Sequence, residues 1–205
     1  MKKRINTNSA ARAVIYARYS SANQRDCSIE QQVEKCRELG LGCDIIPKVE
    51  LEGITISSTY IRTLIAQGEM ERADAFLGHP HVLTDRVAHG KKLGGTLGFP
   101  TVNLRFQPGV LVPAHGVYAT RVTFENGESR PAVTNIGVRP TVDDGDRVTV
   151  EGFILDFQGD LYGQTVRMEF YKRLRGERKF PSLEALKDEV MRNAEQTRAY
   201  FSTQP

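Results

Sequence analysis

Two oxygen-bearing side chains near the middle of the chain have the type and spacing to bind a metal ion. Thr101 and Asn103 follow Gly98-Phe99-Pro100, in which Pro100 fixes its own φ angle and favours an extended conformation at Phe99. If the chain stays extended, both side chains point to the same face. Their neutral oxygens suit a Mg²⁺ ion that takes its other ligands from water and nucleotide phosphates. On spacing alone, a turn followed by a strand with two solvent-facing polar residues is the favoured interpretation.

A glycine-rich basic loop lies just upstream. The segment 89–95, His-Gly-Lys-Lys-Leu-Gly-Gly, could bring backbone N–H groups and positive charge against phosphates. It lacks the Gly-Lys-Ser/Thr ending of a P-loop. By itself the loop is more typical of a flexible basic turn.

Glu151 is a candidate general base, because it lies within an apolar strand pattern from Val148 to Leu155. Partial desolvation at the interior or mouth of a barrel would raise its proton affinity. Alternation places Glu151 on the face of Phe153, opposite Val150. Both faces contain apolar residues, so periodicity leaves open whether Glu151 faces the interior or solvent.

Other polar segments have structural interpretations. Asn135 to Thr141 and Asp160 to Gly163 are rich in turn-forming residues and are predicted to connect strands. A basic cluster precedes the last helix, and a solvated face is its default interpretation: Arg173, Arg175, Arg178 and Lys179.

The composition is that of a soluble globular protein. Of 205 residues, 26% are charged and 40% hydrophobic, and the net charge of +3 is too small to indicate nucleic acid binding by itself. No apolar run is long enough to span a membrane, and the basic start lacks a secretory h-region. Three cysteines without the paired spacing of a zinc site fit free thiols, so we expect a cytoplasmic protein.

The first 50 residues predict a small α/β fragment. Residues 1–12 are polar and are predicted to be disordered. A short strand over 13–16 is followed by a helix that a capping box opens at Ser28 and Gly40 ends. A second short strand is predicted over 43–49.

Two short helices are predicted next, over 59–67 and 69–77. Gly68 and Gly78 are their stops. Each has one apolar face, which predicts a helical hairpin that rests on a larger body.

From His81 the pattern becomes that of β-structure. Turn residues separate five strand candidates, 81–89, 116–125, 130–136, 148–157 and 165–174. Because no helices intervene, these strands predict a small antiparallel barrel or sandwich. A helix over 182–201, with Ser182 as its N-cap, closes the chain. The predicted fold is mainly β, with a C-terminal helix and a small α/β fragment in front.

Six motifs in order resemble riboflavin kinase, and in particular the C-terminal kinase module of the bacterial bifunctional riboflavin kinase/FMN adenylyltransferases. The resemblance covers about His79 to Phe201. The motifs are Gly-Phe-Pro-Thr-Val-Asn (98–103), Gly-Val-Tyr-Ala (116–119), Asn-Ile-Gly-Val-Arg-Pro-Thr (135–141), Val-Glu-Gly-Phe-Ile-Leu-Asp (150–156), Asp-Leu-Tyr-Gly (160–163) and Leu-Arg-Gly-Glu-Arg-Lys-Phe (174–180).

This resemblance implies a six-stranded Greek-key barrel that transfers the γ-phosphoryl group of ATP to the 5′-hydroxyl of riboflavin, with Mg²⁺ or another divalent metal. Thr101 and Asn103 match metal and nucleotide ligands, and Glu151 matches the catalytic base. The other residues that it implies are the nucleotide-binding loop residues His89, Gly90 and Gly94, the flap residues Asn135, Gly137 and Arg139, and the flavin contacts Glu177 and Phe180.

The segment before the kinase resembles part of the adenylyltransferase module. Ile56-Ser57-Ser58-Thr59-Tyr60-Ile61-Arg62 is similar to a signature near the end of that module, in which Ser57, Ser58 and Arg62 would contact ATP phosphates. The sequence has no His-x-Gly-His-type motif, which the module also needs. We therefore expect no adenylyltransferase activity.

The start of the chain resembles a serine recombinase. The segment 12–21 places Arg18 and Ser20 where that family has a phosphate-binding arginine and a DNA-attacking nucleophile. The resemblance ends near residues 36–40, so the charges that would stabilise a transition state are missing. A polar residue at the end of a strand is the alternative for Ser20, and DNA is not an expected partner.

The chain thus looks chimeric, with a recombinase-like start in place of the front of a bifunctional flavin enzyme, through gene rearrangement or a sequence-joining error. The predicted domains are a recombinase-like fragment (1–40), an adenylyltransferase remnant (41–78) and a kinase domain (79–205). We expect a monomer that binds riboflavin and ATP and no membrane. The alternatives are a DNA-recombining protein and an inactive flavin-binding module.

Overall fold

The computed structural model describes residues 27–40, 47–88, 101–139 and 147–203. The chain divides into two compact units, residues 1–49 and 50–205.

The described part of the first unit is mainly helix α1 (Cys27–Glu38). It begins one residue before the predicted start, and Gly40 follows it with a φ of 66°, so the predicted helix and its stop are confirmed. The strand predicted over 13–16 lies outside the described residues. The strand predicted over 43–49 is wrong at 47–49, which have no regular structure and include Pro47, a residue without a backbone N–H to donate.

The second unit opens with a β-hairpin and two helices. Strands β1 (Glu50–Leu51) and β2 (Ile54–Thr55) flank a turn in which both central residues have positive φ. Helices α2 (Ser58–Gln67) and α3 (Met70–Leu77) follow. Their glycine stops are confirmed, since both C-cap residues are left-handed, and their apolar faces form one small core: Leu64, Ile65, Ala73 and Phe76.

Six antiparallel strands form the body of the second unit. They are β3 (His81–Arg86), β4 (Thr101–Leu104), β5 (Gly116–Thr123), β6 (Ser129–Arg139), β7 (Arg147–Ile154) and β8 (Thr165–Arg175). Their order in the sheet is β3-β8-β5-β6-β7-β4. The inward side chains of all six strands share one apolar core, as an antiparallel barrel requires.

The two outer strands of this sheet, β3 and β4, are joined beyond the end of β3. Ala88 forms an isolated antiparallel bridge with Asn103, and its N–H donates to the Asn103 carbonyl at 3.0 Å. The carboxylate of Asp85 accepts from the backbone N–H of Arg105 at 2.8 Å. The predicted six-stranded antiparallel architecture is therefore confirmed as a strongly curled sheet whose edges meet here.

The chain ends in helix α4 (Leu183–Ser202), and the predicted cap is confirmed. The Ser182 hydroxyl accepts from the Ala185 N–H at 3.1 Å. Ala194 of α4 packs with Val117 and Val133 on the outer face of the sheet. Within the described residues, no helix is long and apolar enough to cross a membrane.

Candidate active site

Strand β4 presents Thr101 and Asn103 on its outer face. Along β4, buried and half-buried residues alternate, and Val102 and Leu104 belong to the barrel core. Thr101 and Asn103 are half-buried and point the other way. The sequence-based expectation that these two oxygens share one face is therefore confirmed.

Glu151 lies between two asparagines in a row across three neighbouring strands. In β7 it pairs with Asn103 of β4 on one side and with Asn135 of β6 on the other. Directly opposed residues in antiparallel strands have Cα atoms about 5 Å apart. We call Asn103, Glu151 and Asn135 the polar row.

The barrel core fixes which way Glu151 points. Val150 and Ile154 lie in the core, and Gly152 is buried between them. Glu151 and Phe153 are therefore on the outer face, where both are half-buried. The alternation left this point open, and the packing of β7 decides it.

The predicted flap is strand rather than turn over its described part. Asn135 to Arg139 belong to β6, which pairs with β7 as far as the Arg139–Arg147 pair. The strand predicted over 130–136 is therefore confirmed. The prediction of a turn was wrong for residues 137–139, because the ladder to β7 overrides the local preference of these residues for turns. Residues 140 and 141 of the same motif lie outside the described residues.

Gly137 has a packing role in β6. A Cβ atom at this position would lie 2.3 Å from Oε1 of Glu177 and 3.3 Å from Nδ2 of Asn135. Only glycine lets the Glu177 carboxylate come so close to the backbone beside the polar row. The other oxygen of Glu177 lies 3.8 Å from Nδ1 of His115. Glu177, a predicted flavin contact, is thus placed at the β6 end of the polar row.

The segment that carries Glu177 and Phe180 is anchored by one carboxylate of α4. Glu189 is 4% exposed, and its oxygens lie 3.2 Å from Nε of Arg175, 2.5 Å from Nη2 of Arg178 and 2.6 Å from Nη1 of Arg192. The guanidinium carbon atoms of Arg175 and Arg178 lie 5.4 Å and 4.8 Å from the centre of the Phe180 ring.

Burial lowers the pKa of Arg175, and the charge of Glu189 opposes that shift. A solvated face is therefore the wrong interpretation for Arg175, which is half-buried. Sequence reasoning missed Glu189. The signal was its position on a stripe with Asn193 and Thr197, four and eight residues further along one face of the predicted helix, and all three are buried.

Thr101 also borders a small cavity at the end of the barrel. This cavity measures about 60 Å³, and Val102, Leu161 and Tyr162 contribute to its wall. The Tyr162 N–H donates to Oδ1 of Asp160 at 2.8 Å, which makes the turn that was predicted over 160–163. The Asp160 motif and the β4 motif, some 60 residues apart in sequence, are therefore neighbours.

The remaining predicted residues divide into two groups. Ser57 caps α2, since its hydroxyl accepts from the Tyr60 N–H at 3.3 Å; Ser58 is the first residue of α2, and Arg62 is exposed on it. The other group lies outside the described residues: Arg18, Ser20, His89, Gly90 and Gly94.

The polar row, together with Thr101 and Glu177 at its two ends, combines three chemical capacities. Hydroxyl and amide oxygens of β4 can ligate a hard cation, and Glu151 can accept a proton. Amide and carboxylate groups at the β6 end can hydrogen-bond a polyhydroxylated molecule. Phosphoryl transfer to a hydroxyl requires this combination, because it depends on positioning and charge neutralisation.

The comparisons with known proteins agree with this chemistry. A family model for riboflavin kinase matches residues 77–201. The chain is similar to two bifunctional riboflavin kinase/FMN adenylyltransferases. The protein from Bacillus subtilis is 37% identical over 78% of this chain and 51% of that protein. The protein from Haemophilus influenzae is 40% identical over 75% of this chain and 49% of that protein. This chain spans about half the length of these curated relatives.

A solved structure described as a macrolide-efflux protein from Streptococcus pneumoniae is 34% identical with a TM-score of 0.74. The match covers 81% of this chain and 54% of that protein. The two therefore share a backbone architecture over this region. The family model spans more than half of the present sequence and contains every residue of the polar row. This chain belongs to the riboflavin kinase family.

Proposed function

We propose that the chain is a riboflavin kinase that transfers the γ-phosphoryl group of ATP to the 5′-hydroxyl of riboflavin. The products are FMN and ADP. The observation that carries the proposal is the polar row: the only glutamate of β7 lies between two amides, within the segment that matches the family.

Glu151 is the proposed general base. Its carboxylate takes the proton of the 5′-hydroxyl as the new bond forms between that oxygen and the γ-phosphorus. The bond from the γ-phosphorus to the bridging oxygen breaks, and ADP leaves with the electron pair. Half-burial at Glu151 favours this role, because a partly desolvated carboxylate is a better proton acceptor than a fully hydrated one.

Thr101 and Asn103 are the proposed ligands of a divalent cation. In the described part of the chain no group of three His, Cys, Asp or Glu side chains could hold a metal ion. A neutral oxygen pair therefore suits a weakly held Mg²⁺ that depends on nucleotide phosphates for its remaining ligands. When bound, such an ion neutralises charge that develops on the phosphates.

The two ends of the polar row are proposed to serve different substrates. Asn103 is on the metal side, and Glu177 and Phe180 are beyond Asn135 on the other. With the base between them, the nucleotide occupies the β4 side and riboflavin the β6 side. His89, Gly90 and Gly94 are proposed to complete the nucleotide site, and Asn135, Gly137 and Arg139 to border the acceptor.

Adenylyltransferase activity is proposed to be absent. The sequence lacks a His-x-Gly-His-type motif. The hydroxyl of Ser57 is engaged as the cap of α2, a structural task that accounts for this residue without a nucleotide. A domain division at 1–40, 41–78 and 79–205, a monomeric state and a cytoplasmic location all stay predictions.

Product analysis tests the proposal. The purified chain is incubated with riboflavin, ATP and Mg²⁺, and flavins are separated by chromatography. FMN without FAD is the expected result. FAD would contradict the loss of adenylyltransferase activity. Bound riboflavin without FMN would support an inactive module, and cleavage of DNA substrates would support the recombinase alternative.

A further inference from the structure

We propose that helices α2 and α3 help to position the kinase site. Both helices lie almost entirely outside the segment that matches the family model. Specifically, Gly68 at the end of α2 positions Arg173, and Arg173 acts as a positioning residue for the riboflavin side of the polar row. This inference rests on the proposed function.

The end of α2 is in close contact with Arg173 of β8. Gly68 has a φ of 80°, and a Cβ atom there would lie 2.5 Å from Cδ of Arg173 and 3.2 Å from Cβ of Ala114. The Ala114 N–H also donates to the Ile65 carbonyl of α2 at 3.3 Å. The hairpin thus fixes both Arg173 and the segment that leads into β5.

The guanidinium of Arg173 is enclosed by that segment. Its Nη2 donates to the His115 carbonyl at 2.6 Å. A Cβ atom at Gly116 would lie 3.0 Å from its Nε, and Nε itself is buried with no hydrogen-bond partner among the described residues. Leaving a buried donor unsatisfied is costly, so the arrangement persists only because packing on both sides holds it.

From His115 the contacts lead to the polar row. Nδ1 of His115 lies 3.8 Å from one oxygen of Glu177. The other oxygen of Glu177 lies against Gly137, beside the Asn135 amide that faces Glu151. A shift of Arg173 therefore moves His115 and then Glu177. Because Glu177 is beyond Asn135, the change reaches the riboflavin side and not the β4 side.

Two glycine substitutions provide a matched test. Gly68 and Gly78 both end a helix of this hairpin with left-handed φ angles, 80° and 76°. An alanine side chain meets Arg173 at position 68 but nothing within 4 Å at position 78. Backbone strain alone should lower Tm by about 2–4 °C in Gly78→Ala, and Gly68→Ala should lose more because its methyl group also meets Arg173 and Ala114. Only Gly68→Ala also displaces Arg173.

Steady-state kinetics should separate the two variants. We expect Gly68→Ala to raise KM for riboflavin about fivefold, with KM for ATP unchanged, and Gly78→Ala to leave both within about twofold. Arg173→Met keeps the apolar stem but cannot donate to the His115 carbonyl, so it should raise KM for riboflavin similarly. Arg173→Lys can still donate a hydrogen bond, so its KM for riboflavin should lie between those of the wild type and Arg173→Met. Equal KM values for riboflavin in the two glycine variants would overturn the inference.

A second readout does not depend on turnover. The NMR signal of the His115 ring, recorded without substrates, should shift in Gly68→Ala and Arg173→Met and stay in place in Gly78→Ala. If the wild-type chain forms no FMN, the proposed function is contradicted, while a shifted ring signal still supports the contact path. An unshifted signal in Gly68→Ala overturns the path itself.

Discussion

Two glutamates on the outer side of the barrel lie in different kinds of structure. Glu151 is half-buried in a strand and has the amides of Asn103 and Asn135 opposite it. Glu189 is almost fully buried in a helix and contacts three guanidinium groups. The amide side chains beside Glu151 can bind a cation or hydroxyl groups, whereas three cations tie Glu189 to a fixed ion-pair network. This difference is in line with the proposed chemical role of Glu151 and indicates a structural role for Glu189.

Replacement of Glu151 should give the largest effect on catalysis. Glu151→Gln keeps the size of the side chain but removes the proton acceptor, so kcat should fall about 10²- to 10⁴-fold. KM for ATP should change less than about threefold, since the base does not bind the nucleotide. Steady-state FMN formation measures both values.

The control for this variant makes the same chemical change at an exposed hairpin. Glu128 pairs with Arg130 on the surface, where both are more than a third exposed, so Glu128→Gln should keep turnover. Wild-type turnover in Glu151→Gln would refute its role as the base.

Replacement of Glu189 should give the largest effect on stability. Glu189→Gln leaves three arginines around a buried site without their counter-charge, at a cost of about 3 kcal/mol. A loss of this size lowers Tm by about 8 °C in a protein of this length. Thermal unfolding followed by circular dichroism measures it. A Tm equal to that of Glu128→Gln would show that the buried network contributes no more than a surface ion pair.

Loss of one neutral oxygen from β4 should have an intermediate effect. Thr101→Val preserves shape but removes the proposed cation ligand. We expect KM for ATP and the Mg²⁺ concentration at half-maximal rate to rise about tenfold, with KM for riboflavin unchanged. A Mg²⁺ titration of FMN formation tests this, with Thr123→Val on the exposed hairpin as the control. An unchanged Mg²⁺ requirement would remove Thr101 from the cation site.

A third carboxylate, Asp74 of α3, extends the comparison to a carboxyl group whose pKa is affected by two other acidic residues, Glu169 and Glu71. Burial, with help from the charges of Glu169 and Glu71, raises its pKa from 3.8 to about 7, although a hydrogen bond from the His81 N–H lowers it. The folded state therefore binds more protons than the unfolded state between about pH 4 and 7. Stability from this group is present below pH 4 and is lost as pH rises to 7.

Asp74→Asn should remove that dependence. Relative to this variant, the wild type should lose about 3–5 °C of Tm between pH 5 and 8, which is about half of the full effect of the pKa shift because solvent screens this partly exposed carboxyl group. His81 works in the opposite direction, because burial lowers its pKa. The difference between wild type and variant isolates Asp74, since His81 is present in both. If Tm changed with pH in the same way in the wild type and in Asp74→Asn, Asp74 would not titrate between pH 5 and 8.

Local signals in the sequence predicted local structure well. The Ser182 cap, the left-handed stops at Gly68 and Gly78, and the shared face of Thr101 and Asn103 all follow from neighbouring residues. The cap of α2 by Ser57 was not predicted. The strand predicted over 130–136 is confirmed, but its continuation to Arg139 was misassigned as a turn because it is specified by β7, which is distant in sequence.

The polar row itself could not be predicted from the sequence pattern. It requires β7 to pair with both β4 and β6, and only the register of those ladders sets Glu151 opposite Asn103 and Asn135. The Glu189 network was missed for the same reason. Its partners Arg175 and Arg178 come from a different element, and a lone glutamate on a helix predicts solvent exposure.

Side-by-side measurement of kcat and Tm for Glu151→Gln and Glu189→Gln tests the account most directly. We expect a crossed result. Glu151→Gln loses turnover and keeps the wild-type Tm within about 2 °C. Glu189→Gln loses about 8 °C and keeps kcat within about threefold, with its effect on activity confined to KM for riboflavin because Glu189 anchors the segment of Glu177 and Phe180. If kcat and Tm fell to the same degree in both variants, the assignment of Glu151 as the catalytic and Glu189 as the structural carboxylate would be contradicted.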